Sequence, residues 1–346
     1  MNDPATALTA EFRPSLRLSI RGSAAVLRHF SAEYGPALTS AAGDDADVEV
    51  RFVASVRRGS HSVIINGGHK TVRWNVAIPV ASERLAARIA VHGRPMSFVL
   101  SLVQGYFVEP LTSLAAVAAG HALLPGSGIC VGDEAVLVFG RSRSGKSTLT
   151  ARALASGHEI LGDDQVLVDG SGNAWSFPRR MRFYSDLRVT APEAHARLPL
   201  GDRVALAARR VGVIATRGSV APPIRVPAGR LGGRVAQAPR RIARVVIIER
   251  LGTVGTFEVS RPSRDSVVEL VMPIIDEQRS KLTHGAPTGW ARRLAAARTQ
   301  EAALLRQALD GVAIERYAIP VEWDARRASD ELRARLGLSA ERGSRR

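Results

Sequence analysis

The chain has 346 residues, of which 45% are hydrophobic and 23% are charged, an ordinary composition for a folded protein with room for two domains. Its net charge of +16 is concentrated in residues 201–250 and 325–346, which together carry +13, so a protein that binds polyanions over its whole surface is disfavoured. Only three of the 48 basic residues are lysine, and the single cysteine excludes an internal disulfide framework and a cysteine-based zinc site.

Residues 1–115 are predicted to form an N-terminal α+β module, a possible dock for a substrate. Polar and apolar residues alternate in several short segments, a pattern typical of half-buried β-strands. The predicted elements are, in chain order, strands at 47–52 and 61–65, a hairpin turn at the Asn-Gly-Gly of 66–68, a strand at 72–78 and a helix at 82–92.

The pattern changes after residue 134. A continuous apolar run at 135–139 is typical of a strand buried on both faces, a glycine-rich loop follows at 140–145, and a helix is predicted at 146–156, ended by Gly157. Further along the chain we expect strands at 159–161, 165–168, 174–177 and 244–248, a helix at 290–309, loops and a helix within 196–243, and a frayed tail at 340–346.

Neither a signal peptide nor a membrane span is predicted. Residues 1–20 lack the apolar segment of a secretory signal. The longest apolar stretch, 111–124, is interrupted by His121 and is too short to cross a bilayer. We therefore expect a cytoplasmic protein without a membrane partner.

The segment 140–148 fits the pattern G-x-x-x-x-G-K-[S/T] of a phosphate-binding loop. Its glycines let the backbone turn tightly enough to point successive N–H groups at phosphate oxygens, and the helix that begins there adds the positive end of its dipole. Lys146 would neutralise the β- and γ-phosphate oxygens, and Ser147 would place its hydroxyl on Mg²⁺. The predicted nucleotide-binding residues are Gly140, Arg141, Ser142, Arg143, Ser144, Gly145, Lys146, Ser147 and Thr148.

Two consecutive carboxylates, Asp163 and Asp164, follow Lys146 by 17 and 18 residues, enough for one helix and a return strand. At the end of that strand they would reach the same pocket as the loop. One could hold Mg²⁺ while the other accepts a proton from an attacking hydroxyl, because adjacent carboxylates and a bound metal separate their pKa values. An Asp-rich turn without a function is the alternative.

These motifs together resemble the catalytic domain of the HPr kinase/phosphorylase family. The spacing G-H-x-ϕ-ϕ-x-D-D that follows the loop, from Gly157 to Asp164, matches that family, and the resemblance covers residues 117–190 well and 244–276 loosely. It implies an α/β, phosphoenolpyruvate-carboxykinase-like P-loop domain at 116–325, followed by a basic C-terminal helix and tail at 326–346. It also implies transfer of phosphate from ATP, with Mg²⁺, to a serine hydroxyl of a peptide or small protein.

The resemblance also implies individual roles. Asp163 would be the general base, Asp164 would bind the metal together with Ser147, and His121 would lie near the transferred phosphate. A histidine satisfied within the core is the alternative reading of His121. A homo-oligomer is compatible with the family.

Two other classes of function stay open. The apolar run before Glu249 also fits a nucleotide-binding regulator or assembly ATPase without a phosphate acceptor, although a core strand whose Glu249 pairs with an arginine is the simpler interpretation. A nucleic-acid-linked P-loop protein rests on the net charge alone and is disfavoured, because the four tryptophans are too dispersed for a base-stacking platform. The Arg-rich segment 203–244 could grip an acidic peptide or could be a solvated loop.

Overall fold

The structure is a computed structural model that describes residues 7–40, 45–57, 62–80, 84–215, 223–283 and 286–338. The fold is mixed α/β, as the sequence predicts. The chain divides into two units, and each is made of two separate stretches. The first unit contains Met1–Leu123 and Val271–Gln307, and the second contains Leu124–Leu270 and Ala308–Arg346.

The strands are β1 (Ala7–Phe12), β2 (Leu16–Arg21), β3 (Leu38–Thr39), β4 (Val48–Phe52), β5 (Ser62–His69), β6 (Val72–Pro79), β7 (Leu85–His92), β8 (His121–Leu124), β9 (Ser127–Val131), β10 (Glu134–Phe139), β11 (Ile160–Gly162), β12 (Val166–Asp169), β13 (Asn173–Trp175), β14 (Met181–Phe183), β15 (Ile224–Val226), β16 (Arg240–Leu251), β17 (Glu258–Ser260) and β18 (Ala313–Pro320). The helices are α1 (Ala24–Tyr34), α2 (Met96–Val103), α3 (Glu109–Ala118), α4 (Lys146–Ala155), α5 (Leu187–Thr190), α6 (Pro192–Arg197), α7 (Leu200–Ala215), α8 (Arg264–Thr283), α9 (Thr288–Ala308) and α10 (Ala325–Arg335).

The first unit is built on a sheet with the strand order β3-β1-β2-β4-β7-β6-β5. The pairs β2–β4 and β4–β7 are parallel, and the other neighbours are antiparallel. Helix α1 connects β2 to β3, and its buried Phe30 and Tyr34 belong to the core of this unit. The N-terminal region therefore combines helices with a mixed sheet.

The sheet of the second unit runs β11-β9-β10-β16-β13-β12, and β18 lies parallel to β16. Strand β10 lies between β9, which is antiparallel to it, and β16, which is parallel to it. Its residues 135–139 are all buried, as their unbroken apolar run predicts. The predicted strand at 244–248 is confirmed within the longer β16.

Helix α4 packs between two parts of the second unit's core. Leu149 and Ala153 contact the cluster that contains Val138 of β10, and Leu154 contacts a second cluster built around α5, α6 and β14. The helix ends at Ala155 with Ser156 as its C-cap, and Gly157 follows with φ of +96°, the left-handed conformation expected at this position. The sequence predicts both ends of this helix.

Two local predictions in the first unit are wrong. Residues 66–68 lie inside β5 rather than in a turn, and the hairpin turns at Lys70 instead, where φ is +53°. Glycine at position 67 makes room for the indole of Trp74 on β6 rather than a turn, because a Cβ there would meet its Nε1 at 2.8 Å. Residues 85–92 form β7 rather than a helix, since pairing with both β4 and β6 outweighs the helix propensity of its alanines and arginines.

In the second unit and the last helices, the expected elements are present. Strands β11 to β13 cover the short strands predicted after α4, α9 covers the predicted helix at 290–309, and α10 is the predicted C-terminal helix. Within the Arg-rich region the structure has the predicted helix and loops as α7 and its flanking segments, and it adds the strand β15, which the sequence did not predict. The frayed tail predicted at 340–346 lies outside the described residues.

The division into units differs from the predicted bounds of 1–115, 116–325 and 326–346. Residues 271–307, which include most of α8 and all but the last residue of α9, belong with the N-terminal region, while α10 belongs with the second unit. Hydrogen bonds explain the first assignment, since Arg279 donates to the Ser113 hydroxyl and Gln300 donates to the Val117 carbonyl at 3.0 Å. No sequence pattern marks α8 and α9 as partners of α3.

Within the described ranges, one helical stretch, Met96–Ala118, is long and apolar enough to cross a membrane by length and composition. It comprises α2, a π-helical turn at Gln104–Val108 and α3. Its most apolar window is 72% buried within the protein, which is typical of the core helix of a soluble protein.

Candidate functional site

The loop between β10 and α4 has the tight backbone that its glycines predict. Gly145 adopts φ of +109° directly before the first residue of α4, a conformation that a side chain would strain. Gly140 passes so close to β16 that a Cβ there would meet the Ile248 carbonyl oxygen at 2.5 Å. The sequence pattern and this geometry agree that the loop needs glycine at both positions.

Lys146 begins α4 and turns its side chain back over the loop. Its ammonium group donates to the carbonyl oxygens of Gly140, at 2.6 Å, and Arg141, at 3.1 Å. Burial lowers the pKa of Lys146, and the nearby Asp164 and Asp163 carboxylates oppose that shift. The structure therefore brings the lysine of the loop and the acidic pair into one site.

Asp163 follows β11 and is buried, with 3% of its surface exposed. The Ser127 hydroxyl of β9 donates to its backbone carbonyl and so fixes the main chain at this point. Its carboxylate lies against the first turn of α4, where the Ser147 and Thr150 hydroxyls interact with it. The strand that returns from α4 thus places the carboxylate beside the loop, as the spacing predicts.

The Asp163 carboxylate is nevertheless poorly satisfied. Among the described residues, neither of its oxygens has a partner with good hydrogen-bond geometry, and the Thr150 hydroxyl donates to the Lys146 carbonyl at 3.0 Å. Burial, and then the Asp164 charge, raise the pKa of Asp163 to about 7, and the hydroxyls and the Arg179 guanidinium only partly oppose this. A buried carboxylate in this state is suited to bind a cation or a proton.

Asp164 is the more open member of the pair, with 37% of its side chain exposed. Its Oδ2 atom lies 3.7 Å from an Nη2 atom of Arg179, whose side chain is only 5% exposed. Arg179 is brought here by the segment after β13, in which the Phe177 N–H donates to the Leu161 carbonyl of β11 at 3.0 Å. The pair therefore has one buried and one accessible carboxylate.

Sequence reasoning did not single out Arg179. It lies 15 residues beyond Asp164 in a stretch without a recognisable motif, and only the pairing of its segment with β11 brings it to the site. Ser144 also has a feature that the motif does not predict. Its buried Oγ packs against Gly140 and has no hydrogen-bond partner in the part of the chain that the structure describes. The loop consensus leaves this position unspecified.

The remaining loop residues differ in accessibility. Arg141, Ser142 and Arg143 are exposed, and Arg143 has φ of +67°. Ser147 and Thr148 are half-buried in the first turn of α4. This arrangement leaves the charged side chains of the loop free to reorient towards a ligand.

His121 differs from the other predicted site residues in the unit to which it belongs. It is the first residue of β8, half-buried, and belongs to the first unit, whereas the loop and the acidic pair belong to the second. Its role near a transferred phosphate stays a prediction.

Glu249 lies on β16, beside the strand that leads into the loop. In the parallel register Phe139 is opposite Ile247, so Glu249 lies two residues further along. Its carboxylate is 3.7 Å from the Arg316 guanidinium on β18. The prediction that this glutamate pairs with an arginine is confirmed.

The donor set at the loop is one of hydroxyl and carboxylate oxygens. Among the described residues, no three His, Cys, Asp or Glu side chains gather in a metal-binding group. A divalent ion at the loop would therefore take Ser147 and one aspartate as protein ligands and would need further oxygens from a bound molecule. That coordination is typical of Mg²⁺ with a nucleotide phosphate.

Comparison with known proteins does not extend this description. No protein-family model matches the chain, and no curated protein matches its sequence. The loop, the acidic pair and their geometry therefore carry the functional argument.

Proposed function

We propose that this chain is an ATP- and Mg²⁺-dependent phosphotransferase of the HPr-kinase-like type, with a phosphoenolpyruvate-carboxykinase-like P-loop fold in its second unit. Its acceptor would be a hydroxyl, that of a serine, on a peptide or small protein in the cytoplasm. One observation carries the proposal: the buried, unsatisfied Asp163 carboxylate lies against the first turn of the helix that begins at Lys146.

The residues present fit the nucleotide and its ion. Backbone N–H groups of 141–147 and the Lys146 ammonium would hold the β- and γ-phosphates, with the ammonium exchanging its two loop carbonyls for phosphate oxygens. Ser147 and Asp164 would hold Mg²⁺, which supplies charge neutralisation on the phosphates when bound. The orphaned oxygens of Asp163 and Ser144 support a polar ligand at this place.

Asp163 acts in this scheme as the general base. Its carboxylate accepts the proton of the acceptor hydroxyl while that oxygen forms its bond to the γ-phosphorus and the bond to the departing ADP oxygen breaks. A base works best when its pKa is close to the operating pH, and burial gives Asp163 a pKa in that range. Arg179 positions the neighbouring Asp164 carboxylate and adds a positive charge to the site.

The alternative is a regulator or assembly ATPase that hydrolyses ATP without a phosphate acceptor. The observation in its favour is the position of Glu249 on the strand next to β10. Its ion pair with Arg316 is an argument against that role, because a carboxylate that orients water must be available to it.

The test is transfer of label from γ-labelled ATP to serine-containing peptides, with Asp163→Asn and Glu249→Gln as the matched pair of carboxylate-to-amide variants. The phosphotransferase predicts a labelled acceptor and a loss of ~10²–10⁴-fold in Asp163→Asn, with little change in Glu249→Gln. Transfer that survives Asp163→Asn unchanged removes the assigned base. Release of inorganic phosphate without any labelled acceptor, and with greater sensitivity to Glu249→Gln, establishes the alternative.

A further inference from the structure

Helix α7 carries an exposed apolar seam that the fold of the second unit does not use. The large apolar side chains of Leu200, Val204, Val211 and Ile214 are between 58% and 69% exposed. The helix is held to its own unit by the opposite side, where Leu206 is 3% exposed and packs in the cluster that contains Leu154 of α4. The seam is thus an outward face of a helix that is anchored elsewhere.

The spacing of the seam is that of a coiled coil. Leu200, Val204, Ala207, Val211 and Ile214 follow one another at intervals of four, three, four and three residues. This is a strict heptad repeat in which Val204 and Val211 occupy a positions and the other three occupy d positions. A narrow seam of this kind fits another helix by knobs-into-holes packing, whereas a helix that lies in a membrane interface has a broader apolar face.

The charges beside the seam define the partner further. Arg203 and Arg210 occupy the two g positions, while the e positions are Gly201, Ala208 and Ala215. The nearest acidic residue of the helix, Asp202, is paired with Arg230 at 2.8 Å. The seam is therefore flanked by positive charge alone.

A second copy of α7 would not complement this surface. In an antiparallel pair the g positions face each other and would oppose arginine to arginine, and in a parallel pair the arginines would face alanines. A helix with glutamate or aspartate beside its own apolar seam would pair with both arginines.

We propose that α7 is a docking helix for an amphipathic helix of a partner protein, with an apolar heptad seam flanked by carboxylates. The two helices pack along Leu200 to Ile214, about 21 Å at 1.5 Å per residue. Arg203 and Arg210 select the acidic partner and set its register. This surface is independent of the phosphotransferase reaction, and a failure of either proposal leaves the other standing.

The test uses the full chain and two synthetic three-heptad helical peptides with the same Ile and Leu seam, one with Glu at its e and g positions and the other with Lys. Fluorescence anisotropy gives their dissociation constants. The Glu peptide is expected to bind at least about tenfold more tightly than the Lys peptide. Equal affinity for the two peptides, or no binding of either, overturns the proposal.

Variants locate the binding on α7. Val211→Asp places a charge in the seam and is expected to weaken binding of the Glu peptide by at least about tenfold. Val321→Asp is the matched control at a position outside α7 that is 52% exposed, and it is expected to leave binding unchanged. The double variant Arg203→Glu with Arg210→Glu is expected to reverse the preference towards the Lys peptide. Thermal unfolding of each variant verifies that the fold is retained, which matters most for the double variant because Arg203 is half-buried.

Two further measurements test the other occupants that the apolar seam of α7 could have. Sedimentation velocity of the chain alone tests for a second copy on this helix. A dimer that the substitution Val211→Asp dissociates into monomers would overturn the proposal. Flotation with vesicles of phosphatidylcholine and phosphatidylglycerol tests for a membrane, and binding that Val211→Asp abolishes would overturn it as well. The proposal is supported if the chain is a monomer, does not bind the vesicles, and binds the Glu peptide more tightly than the Lys peptide.

Discussion

Each unit contains a buried carboxylate, and the two differ in how they are satisfied. In the first unit, Glu301 of α9 is completely buried and receives two hydrogen bonds from Arg279 of α8, at 2.8 and 3.1 Å. In the second unit, Asp163 is almost as deeply buried, but neither of its oxygens has a well-formed hydrogen bond among the described residues.

This difference separates a satisfied buried charge from an unsatisfied one. Burial raises the pKa of both carboxyl groups, and the Arg279 guanidinium opposes the shift directly at Glu301. A buried charge without such a partner costs free energy, so a fold retains it where a ligand completes the site. The comparison predicts that removing the two charges has opposite effects on stability.

The largest effect is expected at Glu301. The substitution Glu301→Gln leaves the buried Arg279 guanidinium without its counter-charge, and we expect the free energy of unfolding to fall by about 3–5 kcal/mol. Urea unfolding followed by circular dichroism measures it. The matched control is Asp276→Asn, which breaks an exposed ion pair between the same two helices, Arg298 to Asp276 at 2.9 Å, and should cost less than about 1 kcal/mol. Equal costs for the two variants would show that burial does not distinguish these pairs.

A smaller effect of opposite sign is expected at Asp163. In buffer with EDTA and no nucleotide, Asp163→Asn removes a buried charge that repels Asp164, and we expect the free energy of unfolding to rise by about 1–2 kcal/mol. Saturating Mg²⁺·ATP should stabilise both chains by a similar amount, about 2.7 kcal/mol at one hundred times the dissociation constant, because the scheme assigns the ion to Ser147 and Asp164 and not to Asp163. Thermal unfolding in both buffers measures the two shifts. A loss of stability in EDTA would mean that Asp163 is a structural carboxylate like Glu301.

The sequence predicts the site better than its surroundings. The apolar run of β10, the glycines at 140 and 145 and the count of residues from Lys146 to Asp163 are local quantities, and they place the loop beside the first aspartate. Arg179 is positioned at the site by the backbone hydrogen bond between Phe177 and Leu161 of β11, and no pattern in its own segment predicts that hydrogen bond.

In the first unit, too, local sequence patterns do not predict structure that depends on distant partners, and there the effect extends to whole strands and helices. Residues 85–92 have the composition of a helix, but two neighbouring strands complete their hydrogen bonds as β7. The assignment of α8 and α9 to this unit rests on contacts such as Arg279 to Ser113, more than 160 residues apart in the chain. Such long-range partners are selected by the assembled fold rather than by local sequence.

The smallest effect is expected at Asp169, a satisfied carboxylate in the second unit. Its Oδ1 atom accepts hydrogen bonds from the backbone N–H groups of Ser171 and Asn173, at 2.9 and 3.1 Å, and its Oδ2 atom accepts one from Trp175 Nε1 at 3.0 Å. Burial raises the pKa of Asp169, but these hydrogen bonds outweigh burial and hold it below its ordinary value. Asp169→Ala should therefore cost about 1 kcal/mol at neutral pH.

The pH dependence of that cost decides whether the charge is responsible. A carboxyl group whose pKa is lower in the folded than in the unfolded chain stabilises the fold above its unfolded pKa, and this contribution is lost as the pH falls through the folded pKa. The difference in unfolding free energy between wild type and Asp169→Ala should thus be constant from neutral pH down to about pH 4 and shrink below it. Asp133→Ala, in the exposed turn between β9 and β10, should change stability by less than about 0.5 kcal/mol. A cost at Asp169 that persists unchanged in acid would assign it to lost packing rather than to the charge.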